Sequence, residues 1–377
     1  MRRGLVAAGW DVTSCAMFLD SMFPADRAGA ADLALTDPEV AAAVEADILF
    51  ADLTVHEAMA GSAATLRRLA TLLENTAPDL ILLEHPWAWL PLAKVIGASN
   101  VPILYDSHNI EWRIRQEMAQ GALRAPDAGQ RIAAVRALEA ELCSRAALVF
   151  AISDLEIPEL AAAGAGRVIH LPPCSDLADG ALPPDGGAFA AKAAAAEVAY
   201  CALIGSAYWP NVSGFFDIFP TGIGFLTLRQ QIWVAGALGP ALQADPRWRP
   251  FAATNAARFQ AIGVISAEDK ARLFAGARAA IVPVTQGAGA KLKTADALAS
   301  ARPVIATSCA LEGYGPLLGD ATDNGVWAAD TPAVFRALVR RGVNGDLPSP
   351  PPCLRQALSP ERFTRTLAEA LGSYAPG

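Results

Sequence analysis

The chain has 377 residues, of which 53% are hydrophobic and 18% are charged, and its formal net charge is -8 at pH 7. A chain of this length and hydrophobic content can form the cores of two ordinary domains, and this composition excludes an intrinsically disordered chain. The acidic balance argues against a general nucleic-acid surface and against strong polybasic attraction to anionic lipid.

The N-terminal stretch MRRGLVAAGWDV has an apolar run that is too short for a secretory signal peptide. Six cysteines are scattered singly, without a C-x-x-C pair, which favours reduced thiols. The longest charge-free run, residues 198–216, is interrupted by Pro210 and Asn211 and predicts no membrane span. We therefore expect a cytoplasmic protein, with weak peripheral association at the inner face of the membrane as a further option.

The first half of the sequence alternates helical patterns with short apolar runs. Helical periodicity is seen at residues 40–46 and 63–75. Four apolar runs predict buried parallel strands, at residues 80–83, 101–105, 148–152 and 167–171.

Polar and aromatic residues come directly after the first two of these strands. Because ligands bind outside the carboxyl ends of strands in open α/β sheets, His85, Trp87 and Asn109 are candidates for the acceptor side of an active site. The alternative for the tryptophan is packing under a helix. Asp106 and Glu111 are interpreted as caps of the next helix, or else as partners that orient His108.

Residues 178–197 are rich in alanine, glycine and proline, a composition typical of a linker. Further strands are predicted at residues 198–204, 231–234, 259–264, 281–284 and 302–307. Alternating strands and helices indicate a parallel, doubly wound sheet. The predicted organisation is a first domain, a linker, a second domain and a C-terminal helix, at residues 1–177, 178–197, 198–358 and 359–377.

A glycine turn, Gly287-Ala288-Gly289, follows the strand at residues 281–284 and exposes backbone N–H groups to an anion. The pattern then becomes helical, with Leu292, Ala295 and Ala299 on one stripe.

Two lysines, Lys291 and Lys293, lie at the start of this helix. Cations there oppose the helix macrodipole by about 0.3 to 1 kcal/mol each, so an anionic partner such as a diphosphate would offset the cost. The alternative is an ordinary turn with solvated lysines. Asp296 lies one turn further on, where two ribose hydroxyls would satisfy its carboxylate.

Three ordered stretches carry a family resemblance. They are the pattern P-x-x-x-G-x-G-x-K-x-K with the following A-R-P-V-I-A-T and E-G, the stretch YDSHNIEWR at residues 105–113, and IGSAYWPNVSGF at residues 204–215. Together they resemble the retaining GT-B glycosyltransferases of family 4. The resemblance implies two Rossmann-like, doubly wound parallel-sheet domains that face a cleft.

The resemblance also implies a function. The second domain would bind a nucleotide-diphosphate sugar, and the first would bind a glycan, lipid-linked or small-molecule acceptor, without a metal ion or other cofactor. The implied catalytic residues are His108, Lys291 and Lys293. The implied donor contacts are Gly205, Ser206, Gln286, Gly287, Ala288, Gly289, Asp296 and Glu312.

The sequence departs from the family pattern at two places. The family's first strand and glycine-rich loop are missing before the segment RRGLVAAGWDVTSCAMF, and Gln286 stands where many relatives have glutamate. The missing glycine loop supports one alternative, a non-catalytic protein that binds a nucleotide sugar or carbohydrate. A second alternative is a GT-B nucleotide-sugar epimerase.

Overall fold

A computed structural model describes residues 1–23, 28–97, 99–120, 127–179, 183, 185–287, 289–319 and 325–374. The chain divides into two compact units. The first comprises Met1–Leu171 with Thr364–Gly377, and the second comprises Pro172–Phe363. Each unit contains parallel sheet and helices, which confirms the predicted α/β class with two Rossmann-like domains.

The first unit contains a pair of parallel strands and a four-stranded parallel sheet among its described residues. The pair consists of β1 and β2, and the larger sheet has the order β3-β4-β5-β6. Their bounds are Met17–Leu19 (β1), Leu33–Leu35 (β2), Ile81–Glu84 (β3), Ile103–Ser107 (β4), Leu148–Ala151 (β5) and Val168–His170 (β6). The central strand β5 is buried along its whole length, as expected for a parallel strand covered on both faces.

Helices connect the strands of the first unit. They are α1 (Arg2–Ala7), α2 (Pro38–Ala46), α3 (Ala51–Gly61), α4 (Ala63–Thr76), α5 (Trp89–Val95), α6 (Glu111–Gln120), α7 (Ala128–Arg145) and α8 (Ile157–Ala162). The helix α4 has a polar cap at its start, since the Ser62 hydroxyl accepts from the Thr65 N–H at 3.3 Å. Its apolar face explains why periodicity alone predicts it.

The second unit contains a six-stranded parallel sheet within the described ranges, with the order β12-β11-β10-β7-β8-β9. Its strands are Ala199–Ile204 (β7), Gln230–Ala235 (β8), Phe259–Gly263 (β9), Ala279–Val282 (β10), Val304–Ala306 (β11) and Val326–Ala328 (β12). The order changes direction between β7 and β10, so the loops after these two strands lie next to each other.

The helices of the second unit cover this sheet. They are α9 (Gly187–Ala195), α10 (Trp209–Ile218), α11 (Leu238–Ala244), α12 (Ala252–Ala256), α13 (Ala267–Gly276), α14 (Leu292–Ala299), α15 (Ser308–Leu311), α16 (Gly315–Leu318), α17 (Pro332–Asn344) and α18 (Pro352–Ala357). The last helix, α19 (Pro360–Leu371), passes from the second unit into the segment that belongs to the first.

The segment predicted as a linker lies inside the second unit, which begins at Pro172. Its described residues include α9, which packs on α13 and so contributes to the fold. Alanine-rich sequence gives little apolar contrast between helix faces, and this is why composition indicated a linker where the chain forms a helix.

Candidate functional site

The glycine turn of the second unit connects β10 to α14. Gly287 and Gly289 have φ values of +108° and +73°, which favour glycine over any other residue. Lys291 occupies the N-cap position of α14, and no described side chain caps this end of the helix. The turn therefore leads into a helix N-terminus whose backbone donors favour an anion. The remaining turn residue, Ala288, lies outside the described residues.

The stripe predicted for α14 is correct only in part. Ala295 and Ala299 are fully buried, whereas Leu292 is 65% exposed. Leu292 is the first residue of α14, at the end of the helix next to the turn.

Lys291 is held on two sides. Its ammonium group donates to Oε2 of Glu312 at 2.9 Å, although its side chain is only 8% exposed. The Tyr314 hydroxyl donates to the Lys291 carbonyl oxygen at 2.8 Å. The structure therefore brings together two of the predicted residues, Lys291 and Glu312, which lie 21 positions apart in the sequence.

Lys293 is also enclosed, but it lacks a carboxylate partner among the described residues. Its ammonium group contacts Oδ1 of Asn211. Burial, and then the charge of Lys291, lower its pKa from 10.5 to about 8. A bound anion would oppose both effects on the pKa, because it would supply the opposite charge that the site lacks.

Asn211 connects Lys293 to the loop after β7. Its amide nitrogen donates to the Ser206 carbonyl oxygen at 3.0 Å and to the Ser206 hydroxyl at 3.3 Å. The predicted residues Ser206 and Lys293 thus meet through a residue that was not predicted. Asn211 lies inside the resembling stretch IGSAYWPNVSGF, so its place in that stretch was the available signal.

Gly205 is fixed by its neighbours. The Leu238 N–H donates to its carbonyl oxygen at 3.0 Å, and a Cβ added at Gly236 would clash with the same oxygen. Gly236 also has a φ of +87°, so this close approach requires glycine.

Asp296 already has partners within the protein. Nζ of Lys270 donates to its two oxygens at 2.9 and 3.0 Å, and the Ser175 hydroxyl donates to Oδ1 at 2.6 Å. Neither partner was predicted, since they lie 26 and 121 positions away in the sequence. Gln286, the other predicted sugar contact, has an exposed side chain.

Two histidines of the first unit, His85 and His108, lie at the carboxyl ends of β3 and β4. Nδ1 of His85 lies 3.1 Å from Oε1 of Glu111, and Nε2 of His108 lies 3.2 Å from Oδ2 of Asp106. The two rings are in contact, with centroids 4.4 Å apart. Burial alone would lower the pKa of His108, but the Asp106 carboxylate, with help from Glu84, raises it above the ordinary value.

The capping role predicted for Asp106 and Glu111 is wrong. The N-terminus of α6 is capped by Glu139, whose carboxylate accepts from the N–H groups of Glu111 and Trp112 at 2.9 and 3.0 Å. Burial raises the pKa of Glu139 to about 7. Asp106 and Glu111 instead contact the histidine rings, and the cap comes from the following helix, α7.

Trp87 does not present its ring to an acceptor. It is 5% exposed and belongs to the core of the first unit, where the Arg115 guanidinium lies 5.3 Å from its ring centroid. The packing alternative is therefore the one observed. Asn109 follows His108 in the loop, and its backbone carbonyl oxygen accepts from the Ser107 hydroxyl at 3.1 Å.

No helix in the described part of the chain is both long and apolar enough to cross a membrane.

Two family models match the sequence. One is described as a glycosyl transferase 4-like domain and matches residues 1–174. The other is described as glycosyl transferases group 1 and matches residues 204–341. A comparison with curated protein sequences gives no match.

Solved structures share the fold. HepE of Anabaena in complex with UDP and glucose is 15% identical, with a TM-score of 0.61 over 82% of each chain. Sucrose-phosphate synthase of Thermosynechococcus elongatus is 16% identical, with a TM-score of 0.59 over 82% of this chain and 78% of that one. The lipopolysaccharide outer core galactosyltransferase WaaB, in its apo form, is 15% identical, with a TM-score of 0.53 over 82% of this chain and 79% of that one.

Proposed function

Because the chain is a GT-B glycosyltransferase of the group-1 and family-4 type, we propose that it transfers a sugar from a nucleotide-diphosphate sugar bound by its second unit to an acceptor bound by its first. The observation that carries this proposal is the pair of enclosed lysines, Lys291 and Lys293, at an uncapped helix N-terminus after a glycine turn.

The chemistry fits these groups. As the glycosidic bond to the donor breaks, negative charge develops on the departing diphosphate, and only interactions that strengthen at that stage accelerate the reaction. Lys291 and Lys293, with the backbone N–H groups of the turn, supply positive charge in a partly dehydrated place. We propose that this charge replaces a metal ion, so that EDTA leaves the rate unchanged.

We propose that the donor carries UDP. Support comes from HepE, a protein of the same fold that is described in complexes with UDP and with UDP-glucose. Asp296 is assigned to the ribose. Its carboxylate has about four lone-pair sites, of which Lys270 and Ser175 use three. One site on Oδ2 is therefore left for a hydroxyl.

We assign His108 to the donor sugar or the acceptor hydroxyl, because Asp106 orients its ring and raises its pKa. Asn109 and His85 are assigned to the acceptor side. Retention of anomeric configuration is part of the proposal and rests on the family resemblance. The acceptor is proposed to be a glycan or lipid-linked sugar, since WaaB of the same fold is described as a lipopolysaccharide outer core galactosyltransferase.

We propose a cytoplasmic location for this reaction. The six cysteines all lie in the described ranges and form no disulfide, and Cys143 and Cys201 are buried, which fits a reducing compartment.

The test is calorimetric titration of the purified chain with UDP, GDP and ADP, followed by donor hydrolysis assays on the nucleotide sugars that correspond to any hit. Lys293→Ala should weaken UDP binding at least tenfold. Arg229→Ala, which removes the same charge from an exposed surface site of the same unit, is the matched control and should bind normally. Equal UDP affinity in wild type and Lys293→Ala would refute the proposed donor site. Binding without any turnover would favour a non-catalytic binding protein.

A further inference from the structure

His85 has a left-handed backbone conformation that is not explained by a helix end. Among the described residues, four other than glycine have positive φ: Ala77, His85, Glu197 and Ala301. Three of these follow the last turn of a helix, where a left-handed residue is the usual terminator. His85, with a φ of +69°, instead follows the strand β3. Strained residues of this kind persist where the surrounding structure holds them, often at functional sites.

The strained backbone places the His85 ring between a buried carboxylate and a second imidazole. Glu111 is 6% exposed and binds Nδ1 of His85 through Oε1, while its Oε2 lies 3.3 Å from the Arg115 guanidinium. The other neighbour of the ring is His108, at 4.4 Å between centroids. Glu111 and Arg115 thus hold His85 against His108.

His108 is thereby fixed by two independent contacts. Asp106 binds its Nε2 at 3.2 Å, and the His85 ring contacts it at an interplanar angle of 38°. Among the described residues no hydrogen bond involves Nδ1 of His108, so this nitrogen is the one available to a substrate. The charged groups that act on His108 are Asp106, Glu84 and the N-terminal ammonium group.

We propose that His85 is a positioning residue: held by Glu111, it keeps the His108 ring in the orientation in which Nε2–H donates to Asp106 and Nδ1 faces the substrate. This inference rests on the proposed role of His108 in glycosyl transfer. The strain at His85 is retained because a residue without an imidazole would leave the His108 ring free to rotate.

The test uses His85→Gly. This change removes the ring, and glycine adopts the positive φ at this position without strain. We expect its Tm to equal or exceed that of the wild type, while kcat for donor hydrolysis falls at least tenfold and KM for the donor changes less than twofold. Ala77→Gly is the matched control, because it relieves a positive φ at a helix end of the same unit. It should leave kcat unchanged.

A double-mutant cycle separates positioning from an independent role. If His85 acts through His108, the double variant His85→Gly/His108→Ala is no slower than His108→Ala alone. Additive losses would overturn the inference, as would an unchanged kcat in His85→Gly. Glu111→Gln keeps an acceptor for His85 and should retain more activity than Glu111→Ala.

A second readout needs no turnover. The chain has four histidines, so ¹⁵N-histidine labelling gives an assignable spectrum of the full-length protein. At a pH above the raised pKa of His108, the wild-type ring should show the neutral form protonated at Nε2, and His85→Gly should show a mixture of both neutral forms. An identical His108 signal in the two proteins would refute the inference. Absence of donor hydrolysis in the wild type, by contrast, would count against the proposed function and leave this readout intact.

Discussion

Replacing Lys293 with methionine should make the unliganded protein more stable and its donor site weaker. The side chain is enclosed, and its pKa falls from 10.5 to about 8, mainly because burial disfavours the charged form. At about 1.4 kcal/mol per pKa unit, the charged lysine costs the native state about 3 kcal/mol at pH 7. Methionine fills a similar volume without this cost.

The stability gained by Lys293→Met is partly offset by a lost contact. Asn211 loses the partner of its Oδ1 atom, at a cost of about 1 kcal/mol. The net change is therefore about 2 kcal/mol in favour of the variant, or about 4 to 8 °C in the Tm of a unit of this size. The sign depends on pH. A base with a lowered native pKa binds its proton more tightly in the unfolded state, so wild-type stability recovers as pH rises from about 8 to 10.5.

Differential scanning calorimetry between pH 7 and pH 10, with and without UDP, measures both effects. The Tm advantage of Lys293→Met should be largest at pH 7 and should shrink towards pH 10, while the Tm increase caused by UDP should be mostly lost. Lys291→Met is the comparison, since it breaks the Glu312 ion pair and should lower the Tm slightly while also weakening UDP binding. A Lys293→Met variant that is less stable than wild type, by an amount independent of pH, would refute the reasoning.

Three further predictions address other parts of the structure. Asn211→Ala should lower the Tm in calorimetry, because one buried hydrogen bond to the charged Lys293 is worth about 1.5 kcal/mol of stability; an unchanged Tm would contradict this. Gly236→Ala combines a φ of +87° with a clash against Gly205, so its Tm should fall clearly below wild type. The pKa of Glu139 is about 7 in the native state, against an ordinary value of 4.5, so wild-type stability should decline between pH 4.5 and 7. Glu139→Gln should remove that decline in urea unfolding curves, and a variant that keeps it would exclude this carboxyl as the cause.

Local signals in the sequence determined much of the fold. The apolar runs predict the positions of β3 to β11 to within a few residues, because a strand buried on both faces must be apolar throughout. The order of β10, the glycine turn and the lysine-bearing helix is likewise local, since glycine alone tolerates the turn conformation and helical periodicity starts at once. These features are settled by residues that are neighbours in the chain.

Only the tertiary structure decided which side chains meet. Lys293 and Asn211 lie 82 positions apart, and Asp296 and Ser175 lie 121 apart. Such pairs depend on the order of strands in the sheet, and periodicity reports which face of an element is apolar but not which element covers it. The same reason explains why Trp87 is packed in a core and why Glu139, not Asp106, caps α6.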